Sequence, residues 1–60
     1  MKLIRLHNHS EDMVYLIPTE SINYVASWET GTKIILKYAV GGITNIDVDE
    51  DSETISNMLE

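Results

Sequence analysis

The sequence predicts a mainly β protein: a five-stranded antiparallel meander, forming a curved sheet or small open barrel, closed by a short C-terminal α-helix. Three observations carry this. Short runs rich in Ile, Val, Leu and Tyr alternate with polar residues at the two-residue period of a half-buried strand. Turn-forming clusters separate them at close intervals, as in "NHSED", "ETGT" and "GG". Only the last ten residues change period, with Ile55, Met58 and Leu59 at i, i+3 and i+4.

In chain order, "KLIRLH" (Lys2 to His7) is a first strand, with Ile4 and Leu6 on one face and Leu3 and Arg5 on the other. "MVYLIP" follows the turn and stops at Pro18, which has no N–H for a ladder. In "ESINYVASWE", Ile22, Tyr24, Ala26 and Trp28 alternate with Asn23, Val25 and Ser27, which predicts one face for the first set. "TGT" turns the chain at Gly31, a residue free to take positive φ. "KIILKY" places Ile34, Leu36 and Tyr38 on one face, and Gly41-Gly42 marks a hairpin turn. "ITNIDV" is a fifth strand with Ile46 and Val48 inward. The helix starts at Asp51 or Ser52 as cap, with Glu53 in its first turn.

Size sets the energetic problem. The 60 residues form a single domain, residues 1–60, with no internal repeat or linker. A chain of this length buries only about 60% of its unfolded surface, and small domains draw on disulfides, metals or partners for the rest. The absence of cysteine removes disulfides and thiolate metal sites. At 43% hydrophobic residues the chain is not disordered by composition, so self-association is the expected source of further burial.

Ten acids against four bases give a net charge of −6. Nucleic-acid binding rests on Lys and Arg neutralising phosphates, and four scattered bases provide no such footprint; an anionic membrane surface is disfavoured for the same reason. No run approaches a membrane span, and "MKLIRLHNH" lacks the apolar core of a signal peptide. The expectation is a cytoplasmic protein, for which the glycosylation-like "NHS" carries no meaning.

The aspartates at alternate positions in "DVDEDSETISNM" pose the sharpest chemical question. Read as an EF-hand loop from Asp47, the first three ligands Asp47, Asp49 and Asp51 fit, but Ser52 stands where glycine belongs. Ile55 and Met58 then occupy the ninth and twelfth positions, where calcium needs oxygen. The run reads instead as outward strand residues leading into a capped helix. His7 and His9 share a strand face at a spacing that suits two metal ligands, with Glu11 or Asp12 as the only further donors nearby. Two exposed turn histidines are the plainer reading, and no metal or cofactor is expected.

Ser10 beside His9 does not make a nucleophile–base pair, because chain neighbours rarely face each other productively. Gly41-Gly42 is not followed by a helix and forms no phosphate loop. No catalytic residues are assigned, and the protein is expected not to be an enzyme. Tyr15, Tyr24, Trp28 and Tyr38 suit packing at alternate strand positions rather than a base-stacking platform, since positive charge is lacking around them. Trp28 near a strand end is a natural interface anchor.

Over nearly its full length the chain resembles the small flagellar-operon proteins of the FlbD type, the swarming-motility proteins. "LIRLHN" (Leu3 to Asn8), "VYLIPTESINYV" (Val14 to Val25), "GTKIIL" (Gly31 to Leu36) and "VDEDSETISNML" (Val48 to Leu59) stand in the family's order. The matches are mostly structural residues. The chain departs from the family at the first turn, a longer "NHSED" in place of Asn-Gly, and at "AVGGITN" in place of a tighter hairpin. The resemblance implies this fold and a motility-linked role, and brings no catalytic residues. A slighter likeness of "SINYVASWETGTKIIL" to half of a LytTR-type DNA-binding domain conflicts with the charge.

The function expected from these observations is a non-enzymatic protein–protein interaction or regulatory module. It is a homo-oligomer that meets a protein partner through Trp28 and Tyr24 and the acids Glu50, Asp51 and Glu53. The alternative is an acidic, phage-type inhibitor in which those same acids occupy a basic nucleic-acid-binding or effector site.

Overall fold

The structure, a computed structural model, describes residues 2–60. Five strands, two 3₁₀ turns and one helix follow in order: β1 (Leu3–Asn8), a 3₁₀ turn (His9–Glu11), β2 (Met13–Pro18), a second 3₁₀ turn (Thr19–Ser21), β3 (Ile22–Trp28), β4 (Gly31–Val40), β5 (Ile43–Val48) and α1 (Ser52–Leu59). All pairing is antiparallel and between chain neighbours. The meander is split, however, into a β1–β2 hairpin and a three-stranded sheet ordered β3–β4–β5. The second 3₁₀ turn separates them, because Pro18 ends β2 and the chain turns before β3 begins. The outer edges of β2 and β3 have no strand partner among the described residues.

The two sheets meet where the end of β1 approaches the end of β5. The Asp49 N–H donates to the His7 carbonyl at 2.7 Å, so the main chain is stitched across the gap. Between the sheets lies the core: Ile4, Leu6, Ile17, Ile34, Val48 and Ile55, with Tyr15, Ile22, Val25, Leu36, Ile46 and Met58 packed around it. Leu6, Ile34 and Ile55 are wholly removed from water. One comes from each sheet and one from the helix, so all three pieces are held by a common apolar contact rather than in pairs.

The faces of β1 and β5 follow the predicted alternation, with Ile4 and Leu6 inward and Leu3 and Arg5 outward, and with Val48 buried and Ile46 against the core. β3 does not follow it. Ile22 pairs with Leu36 but Tyr24 pairs with Ile35, so one extra residue enters β3 at this point. The bulge reverses the phase of everything after it. Val25, opposite Ile34, therefore points to the core, and Tyr24 and Trp28 are exposed on the outer face.

β4 departs in the same way. From Ile35 to Val40 it advances five residues while β5 moves only two, from Asn45 to Ile43. Leu36 to Ala39 therefore bow away from β5, and Tyr38, expected on the face of Ile34 and Leu36, is 80% exposed. The turn before β4 consists of Glu29 and Thr30, since Trp28 pairs with Gly31; Gly31 opens the strand rather than making the turn. The next hairpin matches its expected turn. Gly41 and Gly42 have φ of 60° and 83°, the two positive values that a two-residue turn matched to strand twist requires.

Asp51 caps α1, its carboxylate accepting the Thr54 N–H at 2.8 Å. Eight residues are too few to hold a helix in water unaided. Ile55 docks it fully, Met58 partly, and Leu59, expected on the same face, stays 39% exposed at the end. No helix among the described residues is long and apolar enough to cross a membrane.

Candidate functional site

The acidic run that follows β5 lies against the turn that follows β1. Both strands reach the seam at their C-terminal ends, so His7, Asn8 and His9 face Asp47, Asp49 and Glu50 across it. Both the backbone N–H and the ring Nδ1 of His7 engage the Glu50 carboxylate, at 2.9 and 2.6 Å. His9 repeats the arrangement one step along, with its N–H at 2.8 Å from Asp49 and its Nδ1 on the same oxygen. Between them Asn8 is buried. Its amide nitrogen donates to the Asp47 carbonyl and to Glu11, and its oxygen accepts from the Glu11 N–H and the Ser10 hydroxyl. The two imidazoles lie side by side, with ring centres 5.8 Å apart and planes 10° from parallel.

The electrostatics follow from these bonds. Asp49 is held below the ordinary aspartate range, first by the His9 N–H and then by the His9 ring. Partial burial pushes Glu50 upward, but hydrogen bonds from the His7 ring and N–H outweigh it, and its pKa falls below the usual glutamate value. Thr54, by its hydroxyl and its N–H, does the same for Asp51. An ionised carboxylate only accepts hydrogen bonds. Each pair therefore puts a proton on Nδ1 of its histidine.

The four acids from Asp47 to Asp51 thus have four separate tasks. Asp47 reaches the Lys33 ammonium at 3.7 Å, Asp49 and Glu50 hold the two histidines, and Asp51 caps the helix. Of the acids predicted to meet a partner, Glu50 and Asp51 are engaged inside the chain, and Glu53 stands exposed in the first helical turn. Tyr24 and Trp28 lie on the outer face of the three-stranded sheet, each about half exposed. The Lys33 ammonium is 5.9 Å from the Trp28 ring centre, a cation–π distance. Trp28, Asp47 and Asp49 line a shallow polar pocket with Asn8 and Ser10, so the structure brings Trp28 near Asp49 but leaves Tyr24 apart from it.

A second feature was not visible in the sequence. On the side away from the seam, β2 and the bowed half of β4 flank an open cleft of about 380 Å³ lined by Leu16, Ile17, Pro18, Leu36, Tyr38, Val40 and Ile46 beside Ser21. No charged side chain lines it. Leu16 is 58% and Val40 69% exposed, and Ile43 continues the apolar surface where it pairs with Val40. The chain pattern concealed this cleft because it forms only when β4 bulges out of register and β2 ends at Pro18. The seam was equally hidden, since its partners lie about forty positions apart in the chain.

No family model, curated protein or solved structure matches this chain.

Proposed function

We propose that this protein is a non-enzymatic interaction module that self-associates through the cleft between β2 and the bowed half of β4. The observation that carries the reading is the exposure of Leu16, Tyr38 and Val40 around a charge-free depression. Contiguous exposed apolar side chains rimmed by polar surface mark contact surfaces.

A second copy of the chain is the occupant that best suits the surface. Two molecules of charge −6 repel, and this lining is where they can meet without apposing their acids. A stable dimer buries ~800 Å² on each partner, close to a fifth of the 4290 Å² this chain exposes. Burial of that size supplies what a small domain lacks. The free edges of β2 and β3 offer a further route, by strand addition.

The outer face bearing Tyr24 and Trp28 stays free for a different protein partner once the cleft is occupied, and Glu53 is exposed in the first turn of α1. A motility-linked role rests on the resemblance to the flagellar-operon proteins alone. The alternative, an acidic inhibitor of a basic site, has less support because Glu50 and Asp51 already serve His7 and the helix.

Light scattering after size exclusion, at two protein concentrations, tests the proposal. Wild type is expected at an integral multiple of 6.8 kDa, and Tyr38→Glu at the single-chain mass with unchanged far-UV dichroism. A folded wild-type monomer at both concentrations refutes it.

A further inference from the structure

We infer that a second copy of the chain docks by its own β2: the two β2 strands pair edge to edge and antiparallel, about a twofold axis that passes between the two copies of Tyr15. The pairing rests on the self-association proposed above and adds to it a strand, a register and the main-chain bonds that hold the copies together. β2 is the open edge of the fold. A free strand edge is ordinarily blunted by charge, by a bulge or by a covering element. β3 carries a bulge between Ile22 and Tyr24 and has α1 beside it. β2 has no charged residue from Met13 to Pro18 and pairs with β1 without a register shift. Copies that carry −6 each meet least repulsion along such a segment.

The phase of β2 decides which main-chain groups are on offer. In an antiparallel pair, residues alternate between those that bond the neighbouring strand and those that turn away from it. The Thr19 N–H donates to the Lys2 carbonyl at 3.0 Å, which continues the β1–β2 register by one pair. Thr19, Ile17, Tyr15 and Met13 therefore turn their main-chain groups to β1, and Pro18, Leu16 and Val14 turn theirs to the free edge. The donor that proline lacks falls on the outward phase, so the ladder to β1 loses nothing by it.

Pro18 and Asp12 then select the register. With Leu16 opposite itself, Val14 would face Pro18 of the second copy, whose ring occupies the place of a donor. With Val14 opposite itself, Leu16 would face Asp12, whose N–H is already given to the His9 carbonyl and whose φ of 55° takes the chain out of the strand. With Tyr15 opposite itself, Val14 and Leu16 of each copy exchange both of their bonds with Leu16 and Val14 of the other, and every outward donor of β2 is used. The same register sets the side chains of Val14 and Leu16, each more than half exposed, against each other on the outer face. On the inner face Tyr15 shares a depression with Leu36, Val40 and Ile43, so the paired tyrosines carry the contact towards the bowed half of β4.

The chain has no cysteine, so single-cysteine variants report contacts between copies alone. Val14→Cys, Tyr15→Cys and Leu16→Cys are held in a glutathione redox buffer, and the linked fraction is read by non-reducing electrophoresis. Two copies of position 15 face each other with Cα atoms ~4.5 Å apart, whereas two copies of position 14 or of position 16 are ~9 Å apart, beyond the ~7 Å that a disulfide spans. Tyr15→Cys is expected to link at least ~10-fold faster than either neighbour. Tyr15 packs against the core, so amide exchange of the unsubstituted chain is measured as well. The Val14 and Leu16 amides should slow at least ~10-fold as concentration takes the chain from monomer to assembly, and the β3 amides should not respond. An assembly in which no β2 cysteine links and both amides still exchange freely overturns the β2 pairing and leaves self-association through the cleft standing. Faster linking through position 14 or 16 overturns the register and the pairing with it. A folded wild-type monomer at every concentration overturns both readings.

Discussion

Ile55→Ala tests how the three pieces of the fold are joined. Ile55 is the only fully buried residue of α1, and it meets side chains from both sheets. The substitution removes three carbons, each contributing ~0.8 kcal/mol on burial, or ~2.4 kcal/mol together. A hole of ~50 Å³ that the surroundings do not fill adds ~1 kcal/mol at ~24 cal/mol per Å³. The sum, ~3.5 kcal/mol, stands against a total of ~3–9 kcal/mol for a chain of 60 residues. The loss therefore ranges from about a third of the stability to all of it. Urea unfolding followed by far-UV dichroism is the assay. With a slope of ~1 kcal/mol per molar, the midpoint should fall by ~3.5 M, and helical signal should be lost first. Leu59→Ala, at a 39% exposed position on the same helix, should shift it by less than ~1 M under the same slope. Both are compared at one protein concentration, because an associating chain gains stability with concentration. A shift below ~1 M for Ile55→Ala, with an unchanged slope, would show that the helix is not part of the core.

Further predictions concern the seam and the turns. Asn8→Ala removes a buried side chain that makes four hydrogen bonds and leaves the Asp47 carbonyl unpartnered, so urea unfolding should show a loss of ~2–3 kcal/mol. Asp49, Glu50 and Asp51 all have lowered pKa values in the folded chain, so the unfolded chain binds protons more readily. Their contribution is fully present above the ordinary carboxylate range and is lost as pH falls through the folded values below it. Thermal midpoints measured from pH 7 to pH 3 should therefore decline on the acid side, and Glu50→Gln should make that decline shallower. Asp51→Ala removes the cap of α1 and should lower helical dichroism while leaving the β signal; an unchanged spectrum would place the helix start elsewhere.

The class of the fold, the bounds of β2 and β5, the start of α1 and the Gly41-Gly42 turn were legible because each depends on local chemistry: alternation, a proline stop, a capping aspartate, two residues at positive φ. What escaped the sequence depends on register. The bulge beside Asn23 needs no unusual residue, yet it exchanges the roles of Tyr24 and Val25, and the bow in β4 turns Tyr38 from an expected core residue into the most exposed large apolar one. The aspartate run was legible as a strand leading into a capped helix. Its pairing with His7 and His9 was not, since neither sequence motif indicates that the ends of β1 and β5 converge. Trp28 and Tyr24 did emerge on an outer surface, whereas the apolar cleft could not be foreseen from either strand alone.

The seam also has a consequence for the order in which the chain folds. The β1–β2, β3–β4 and β4–β5 pairs each close over short loops, whereas every bond joining the end of β1 to the Asp47–Glu50 segment spans about forty residues. Closing so long a loop costs entropy before its contacts reward it. The hairpins therefore form first and the histidine–carboxylate contacts come last, on the native side of the barrier. Substitutions at Asn8 or Glu50 should accelerate unfolding and leave the refolding rate nearly untouched, so that the seam acts as a latch governing how long the domain stays folded rather than how fast it gets there.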